Sequence, residues 1–167
     1  MTFRNATTED LNKIMVIIRK AQQYLREKGV DQWQGNYPNE DIIRADINKN
    51  IGYILEKDND IIATVAVSFN DEKTYDKIYN GSWITNNEYA VIHRIAVDNK
   101  YKGKRVSSLI IAKVEDMCIS KGIRSIKVDT HRKNESMQKM LSYNGFKYCG
   151  IIYLEDGSER FAYEKVI

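Results

Sequence analysis

The stretch from His93 to Cys118, HRIAVDNKYKGKRVSSLIIAKVEDMC, constrains this chain more than any other. It closes a strand, Tyr89 to Val97, that is rich in Val and Ile, and then passes through a basic loop containing Gly103. Val106, Leu109, Ile110, Val114, Met117 and Cys118 follow at helical spacing, stopped at Gly122. The first turn of a helix carries N–H groups with no intrahelical partner, and its dipole favours negative charge there. Lys100, Lys102, Lys104 and Arg105 form the tightest basic cluster of the chain and stand beside that turn. Read alone, the segment fits either a cradle for a phosphate-bearing ligand or a solvated turn between strand and helix.

The flanking sequence supplies the rest of a sheet. Thr2 to Arg4 can begin a strand, and Thr7 to Asp10 supply a cap and first-turn acids for an amphipathic helix through Leu25. Val30 to Pro38 reads as a loop, and Asn39 caps a second helix to about Asn48. Tyr53 to Glu56 and Ile61 to Phe69 form a hairpin about a polar turn, and Asn70 to Trp83 is irregular with a helical turn near Tyr75 to Tyr79. Ser125 to Asp129 is a short strand, Asn134 to Tyr143 a helix, and Phe146 to Leu154 with Arg160 to Val166 a final hairpin turned at Asp156-Gly157. Strands that both alternate with helices and pair in hairpins predict a mixed α/β sheet covered by helices.

With 167 residues, 43% apolar and 29% charged, the expectation is one soluble domain over residues 1–167. The N-terminus lacks the pattern of a signal peptide and no apolar run nears the roughly 20 residues that span a bilayer, so a cytoplasmic protein is expected, without membrane association. Lys and Arg total 26 against 23 acids and are spread along the chain, which does not favour nucleic acid as a partner. Cys118 and Cys149 fall in apolar patterns and read as buried thiols; with two distant histidines they predict no metal site. Exposed strand edges make a homodimer an expectation to test.

In order, Ile95-Ala96-Val97, Tyr101-Lys102-Gly103-Lys104, the helix that follows, Asn134-x-x-Met137 and Gly145-Phe146 resemble the acetyl-CoA binding motifs of the GNAT superfamily. The leading helices and the two hairpins also follow that family's order of elements. The resemblance implies an α/β fold with a GNAT-like splayed mixed β-sheet flanked by helices, open between the strand ending at Val97 and the parallel strand ending at Asp129. It implies an N-acetyltransferase that moves an acetyl group from acetyl-CoA to an amine by direct attack in a ternary complex. The backbone of Ile95, Ala96 and Val97 would pair with the pantetheine arm. The amides of Lys102, Gly103, Lys104, Arg105, Val106, Ser107 and Ser108 would cradle the pyrophosphate, and Asn134 and Met137 would contact the cofactor. The chain departs from the family's loop pattern at Arg105 and Ser107. It also carries Leu141 where many members place a tyrosine general acid, and Tyr143 lies about 200° around the helix from that position.

The implied reaction needs a neutral amine, and an alkyl amine of pKa about 10 is mostly protonated near neutral pH. His93 is the candidate base, placed by strand periodicity on the face of Val97, with a side chain whose ordinary pKa of about 6.5 suits the task. A main-chain N–H near Ile95 could stabilise the oxyanion. His131 follows the end of a parallel strand, where open α/β sheets take ligands; it also fits a structural role in the turn that follows. Trp33, Gln34 and Tyr37, with Tyr75, Tyr79 and Trp83, form two aromatic clusters that could wall an acceptor pocket or serve as ordinary packing. The acceptor is open: a small amine, an amino acid, an antibiotic or a peptide. The alternative is an acetyl-CoA-binding module with little or no catalysis, for which Leu141 is the main support.

Overall fold

Helix caps, hairpin turns and apolar spacing fix the elements locally. In the computed structural model, which describes residues 1–167, they are β1 (Thr2–Asn5), α1 (Leu11–Glu27), α2 (Glu40–Asn48), β2 (Gly52–Lys57), β3 (Asp60–Phe69), β4 (Ala90–Val97), α3 (Val106–Ser120), β5 (Ser125–Thr130), α4 (Glu135–Tyr143), β6 (Lys147–Tyr153) and β7 (Glu159–Val166). The helical turn expected near Tyr75 to Tyr79 lies a little earlier, as a 3-10 turn at Lys73–Tyr75. The strands form one seven-stranded mixed sheet in the order β1-β2-β3-β4-β5-β7-β6, flanked by helices. β4 and β5 run parallel, and the β1–β2, β2–β3, β5–β7 and β6–β7 pairs run antiparallel. The parallel register joins Ala90 to Ile126 and Val91 to Lys127.

The chain divides into two compact units, Met1–Val67 with His93–Lys113 and Ser68–Ile92 with Val114–Ile167. In the first, the apolar stripe of α1 (Leu11, Ile14, Met15, Ile17, Ile18) packs with Ile43 and Ile47 of α2, Ile54 of β2 and Ala96 of β4. A fully buried side chain such as Ile18 contributes roughly 1.5–3 kcal/mol. Asp10 fixes the start of α1, accepting from the backbone N–H (2.8 Å) and hydroxyl (3.0 Å) of Thr7 and from the Arg4 guanidinium (2.8 and 3.0 Å). Arg4 is the main reason the Asp10 carboxyl is held down to about 2. Asp58 and Asn59 both have positive φ, 50° and 65°, which matches the right-handed twist of the β2–β3 hairpin.

The second unit is organised by the irregular segment between β3 and β4. Its Tyr75 packs with Val91, Ile152 and Ala162, and Ile78, Trp83, Tyr89 and Leu154 pack against them. The segment reaches β6 through paired backbone hydrogen bonds between Tyr79 and Ile151, both 2.8 Å. Close approach there requires glycine: a Cβ on Gly81 would lie 1.9 Å from the Cys149 carbonyl oxygen. No helix is long and apolar enough to cross a membrane.

Candidate active site

The basic loop lies wholly in the first unit. Asp98 opens it: its carboxylate accepts from the Lys100 N–H (2.9 Å) and pairs with Lys20 (3.1 Å), while its own N–H donates to the Ile62 carbonyl (2.8 Å). Burial works to raise the Asp98 pKa, but these donors outweigh it and the pKa lies below the ordinary carboxylate value. Gly103 (φ 75°) and Arg105 (φ 59°) both adopt the left-handed conformation in the turn before α3 begins. Arg105 therefore takes up a conformation that ordinarily favours glycine, at a cost of about 1–2 kcal/mol. The ladder of α3 starts with the Leu109 N–H on the Arg105 carbonyl (3.1 Å), so the N–H groups of Val106, Ser107 and Ser108 precede the first intrahelical bond.

Around these amides the side chains divide by role. Val106 is buried and anchors the helix start, Ser107 and Ser108 are half-buried, and Lys102, Gly103, Lys104 and Arg105 are exposed. The Lys102 ammonium sits 4.0 Å from the centre of the Tyr24 ring of α1, and Lys104 sits 5.2 Å from that of Tyr101. Left-handed backbone, helix-start amides and nearby cations are features that favour an anion.

β4 leads into this loop with one irregularity. Arg94 has φ 50°, which breaks the two-residue alternation between His93 and Val97. A shared face for His93 and Val97 therefore does not follow from strand periodicity, contrary to expectation. His93, Ile95 and Val97 are half-buried, and Ala96 turns its methyl into the core of the unit. The Arg94 guanidinium makes two bonds of 2.7 Å to the Asp46 carboxylate of α2 and one of 3.0 Å to the Tyr37 hydroxyl. Tyr37 is exposed and its loop is tied to α1 by Gln22, which donates to the Tyr37 and Pro38 carbonyls at 3.0 Å. Trp33 packs against the core.

The other expected site residues belong to the second unit. Asn134 caps α4: its Oδ1 accepts from the Met137 N–H (3.2 Å) and the Ser136 hydroxyl (3.2 Å). Met137 is half-buried. The His131 ring nitrogen Nδ1 accepts from the Lys133 N–H (3.1 Å), and its carbonyl accepts from the Asn134 N–H (2.9 Å), so His131 shapes the turn into α4. Trp83 donates its indole N–H to the Tyr75 carbonyl (2.8 Å), and its ring centre is 5.1 Å from that of Tyr75. Leu141 is fully buried and Tyr143 is exposed.

Sequence reasoning missed a polar row on β5. Ser125, Lys127 and Asp129 alternate with Ile126 and Val128, a pattern that ordinarily marks a solvated face. Here the segment from Tyr75 to Tyr89 contacts it: Lys127 lies 4.3 and 4.2 Å from the Trp83 and Tyr89 ring centres, and Asp129 accepts from the Tyr75 hydroxyl at 2.7 Å. Burial lowers the Lys127 pKa and raises those of Tyr75 and Asp129. Arg94 and Asp46 also gave no sequence signal as a pair.

The sequence model of the acetyltransferase (GNAT) family matches residues 18–146. The fold matches a GNAT-family acetyltransferase from Streptococcus agalactiae 2603, 32% identical, with a TM-score of 0.88 over 99% of this chain and 95% of that one. It also matches the PaiA N-acetyltransferase of Thermoplasma acidophilum, solved in complex with coenzyme A, at 18% identity and a TM-score of 0.72 over 99% and 98% of the two chains. By sequence, the chain is similar to the uncharacterized N-acetyltransferase YesJ of Bacillus subtilis (strain 168), 23% identical over 97% of this chain and 88% of that protein. An S-alkylcysteine N-acetyltransferase of the same organism is 25% identical over 68% of this chain and 58% of its own length. The extent of the family match, with the seven-stranded mixed sheet, shows that this chain belongs to the acetyltransferase (GNAT) family.

Proposed function

We propose that residues 1–167 act as one catalytic domain that moves an acetyl group from acetyl-CoA to an amine by direct attack in a ternary complex. The observation that carries this reading is the loop from Lys102 to Ser108, where two left-handed residues lead into helix-start amides amid exposed basic side chains. The amides of Val106, Ser107 and Ser108 hold the pyrophosphate, with Lys102, Lys104 and Arg105 adding charge. The backbone of Ile95 to Val97 receives the pantetheine arm, and Asn134 and Met137 add contacts from α4. The coenzyme A complex of the Thermoplasma acidophilum relative supports the choice of cofactor. Acetyl-CoA supplies the activated acyl group, and its leaving thiolate, of pKa about 8.5 by analogy with cysteine, departs without strong acid assistance.

His93, half-buried on β4 two residues before Ile95, takes the proton from the amine directly or through water. The S-alkylcysteine N-acetyltransferase relative makes small amino-acid derivatives one class of acceptor to test. Leu141 favours a second reading, an acetyl-CoA-binding module with little catalysis, because its buried alkyl chain offers no proton. Calorimetry with coenzyme A, followed by thiol release across small amines, amino acids, aminoglycosides and peptides, separates the readings. His93→Ala should lower kcat by about 100-fold while leaving acetyl-CoA affinity near wild type. Undiminished turnover removes His93 from the mechanism. Binding without thiol release on any acceptor favours the module.

A further inference from the structure

Five acids in this chain have buried or largely covered carboxylates, Asp98 with its Lys20 and Lys100 donors among them, and four of the five are well answered. Asp10 has the Arg4 guanidinium and Thr7, and Asp46 has both donors of Arg94 at 2.7 Å. Glu164, with no exposed surface, accepts from the N–H groups of Ile84 (2.6 Å) and Thr85 (3.4 Å) and from the hydroxyls of Thr85 (2.7 Å) and Ser125 (2.7 Å). Asp129 differs. It accepts from one neutral donor, the Tyr75 hydroxyl, and pairs with no cation. An ionised carboxylate in that position is costly until a positive charge arrives.

The surroundings of Asp129 suit a particular kind of cation. Desolvation is the chief reason its pKa is raised; Tyr75 and Arg160 oppose the rise and Glu72 adds to it. Arg160 on β7 makes its hydrogen bond to the Glu159 carbonyl, and Lys127 on β5 has its ammonium on the Trp83 and Tyr89 rings. The neighbouring acid Glu164 is satisfied as described, and Tyr89 is pushed up by burial. Part of the Asp129 surface still meets solvent, at the carboxyl end of a parallel strand, where ligands commonly bind in open α/β sheets. Tyr75, Trp83 and Tyr89 form an aromatic frame with ring centres 5.1 and 6.4 Å from Tyr75, and its rings already accommodate one alkylammonium, that of Lys127.

We propose that Asp129 selects the acceptor by pairing with an ammonium group of a cationic alkyl amine, and that Tyr75 holds the carboxylate in place for it. This inference rests on the acetyl-transfer reading and names its acceptor class. An amine flanked by a carboxylate brings like charge to Asp129, and a neutral acceptor leaves it unanswered, so both are disfavoured.

Asp129→Asn keeps an oxygen for the Tyr75 hydroxyl, removes the charge and puts an NH2 group in place of the second oxygen. Thermal shifts are measured for both proteins with 1,4-diaminobutane and with 1,4-butanediol, alongside coenzyme A affinity by calorimetry and thiol release with the diamine. The diamine should stabilise the wild type and the diol should not. The substitution should weaken the diamine effect and kcat/KM for the diamine by about tenfold or more, with coenzyme A affinity unchanged. Equal diamine shifts in the two proteins, or none in the wild type, overturn the proposal. Should the variant fail to fold, the wild type decides: its diamine shift must grow between pH 4 and pH 8 as Asp129 ionises, and a flat profile overturns it. A wild type that responds to diamine through Asp129 yet binds no coenzyme A defeats the acetyl-transfer reading and leaves the ammonium site standing.

Discussion

Each unit of the molecule holds a largely covered acid beside its part of the sheet, and the two are treated differently. Asp46, on α2, receives a bidentate guanidinium from Arg94, whose own backbone is left-handed within β4. Asp129, on β5, receives one phenol. In the first case the charges compensate one another at a fixed geometry, so the pair holds helix to strand whether or not a ligand is present. In the second a single neutral donor answers the carboxyl, and burial raises its pKa. Two acids similarly placed against the sheet thus differ in the donors that folding supplies to them.

The largest test of this contrast is Asp46→Ala, which strands the Arg94 cation. It should cost about 3–5 kcal/mol in chemical denaturation, and a loss under 1 kcal/mol would mean the pair does not hold β4 to α2. Asp129→Asn should have the opposite sign. A folded-state pKa raised above the unfolded value gives stability that is present below the unfolded pKa and lost as pH rises through the folded one. The variant escapes that loss, so its Tm should match wild type near pH 4 and exceed it increasingly toward pH 8. A Tm below wild type at pH 8 would make Asp129 a structural acid like Asp46.

The smallest effect is expected at the exposed loop. Arg105→Gly removes the left-handed penalty but adds unfolded-chain entropy of similar size, so stability should stay within about 0.5 kcal/mol. Coenzyme A affinity should fall by about threefold at low salt and less at high salt, because an exposed charge is screened. An unchanged affinity at low salt would assign the phosphate contact to the backbone amides alone.

Local interactions made much of this protein legible in its sequence. Thr7 and Asp10, Asn39 and Asn134 mark helix starts through bonds spanning three residues, and Asp58-Asn59 sets a hairpin through its own backbone preference. The basic loop from Lys102 to Ser108 was readable because strand, turn and helix start are contiguous. What lay beyond reach depended on distant partners. Arg94 meets Asp46 across 48 positions and Tyr75 meets Asp129 across 54. The alternation of Ser125, Lys127 and Asp129 described a polar face correctly, yet the same pattern serves a face in water or one covered by protein. Sequence by itself determined the elements and their order, and marked the basic loop as the candidate place for an anion, because short-range hydrogen bonding and side-chain period settle local structure. Only the tertiary structure decided which charges are compensated, because a charge's free energy depends on desolvation and on partners that folding brings together.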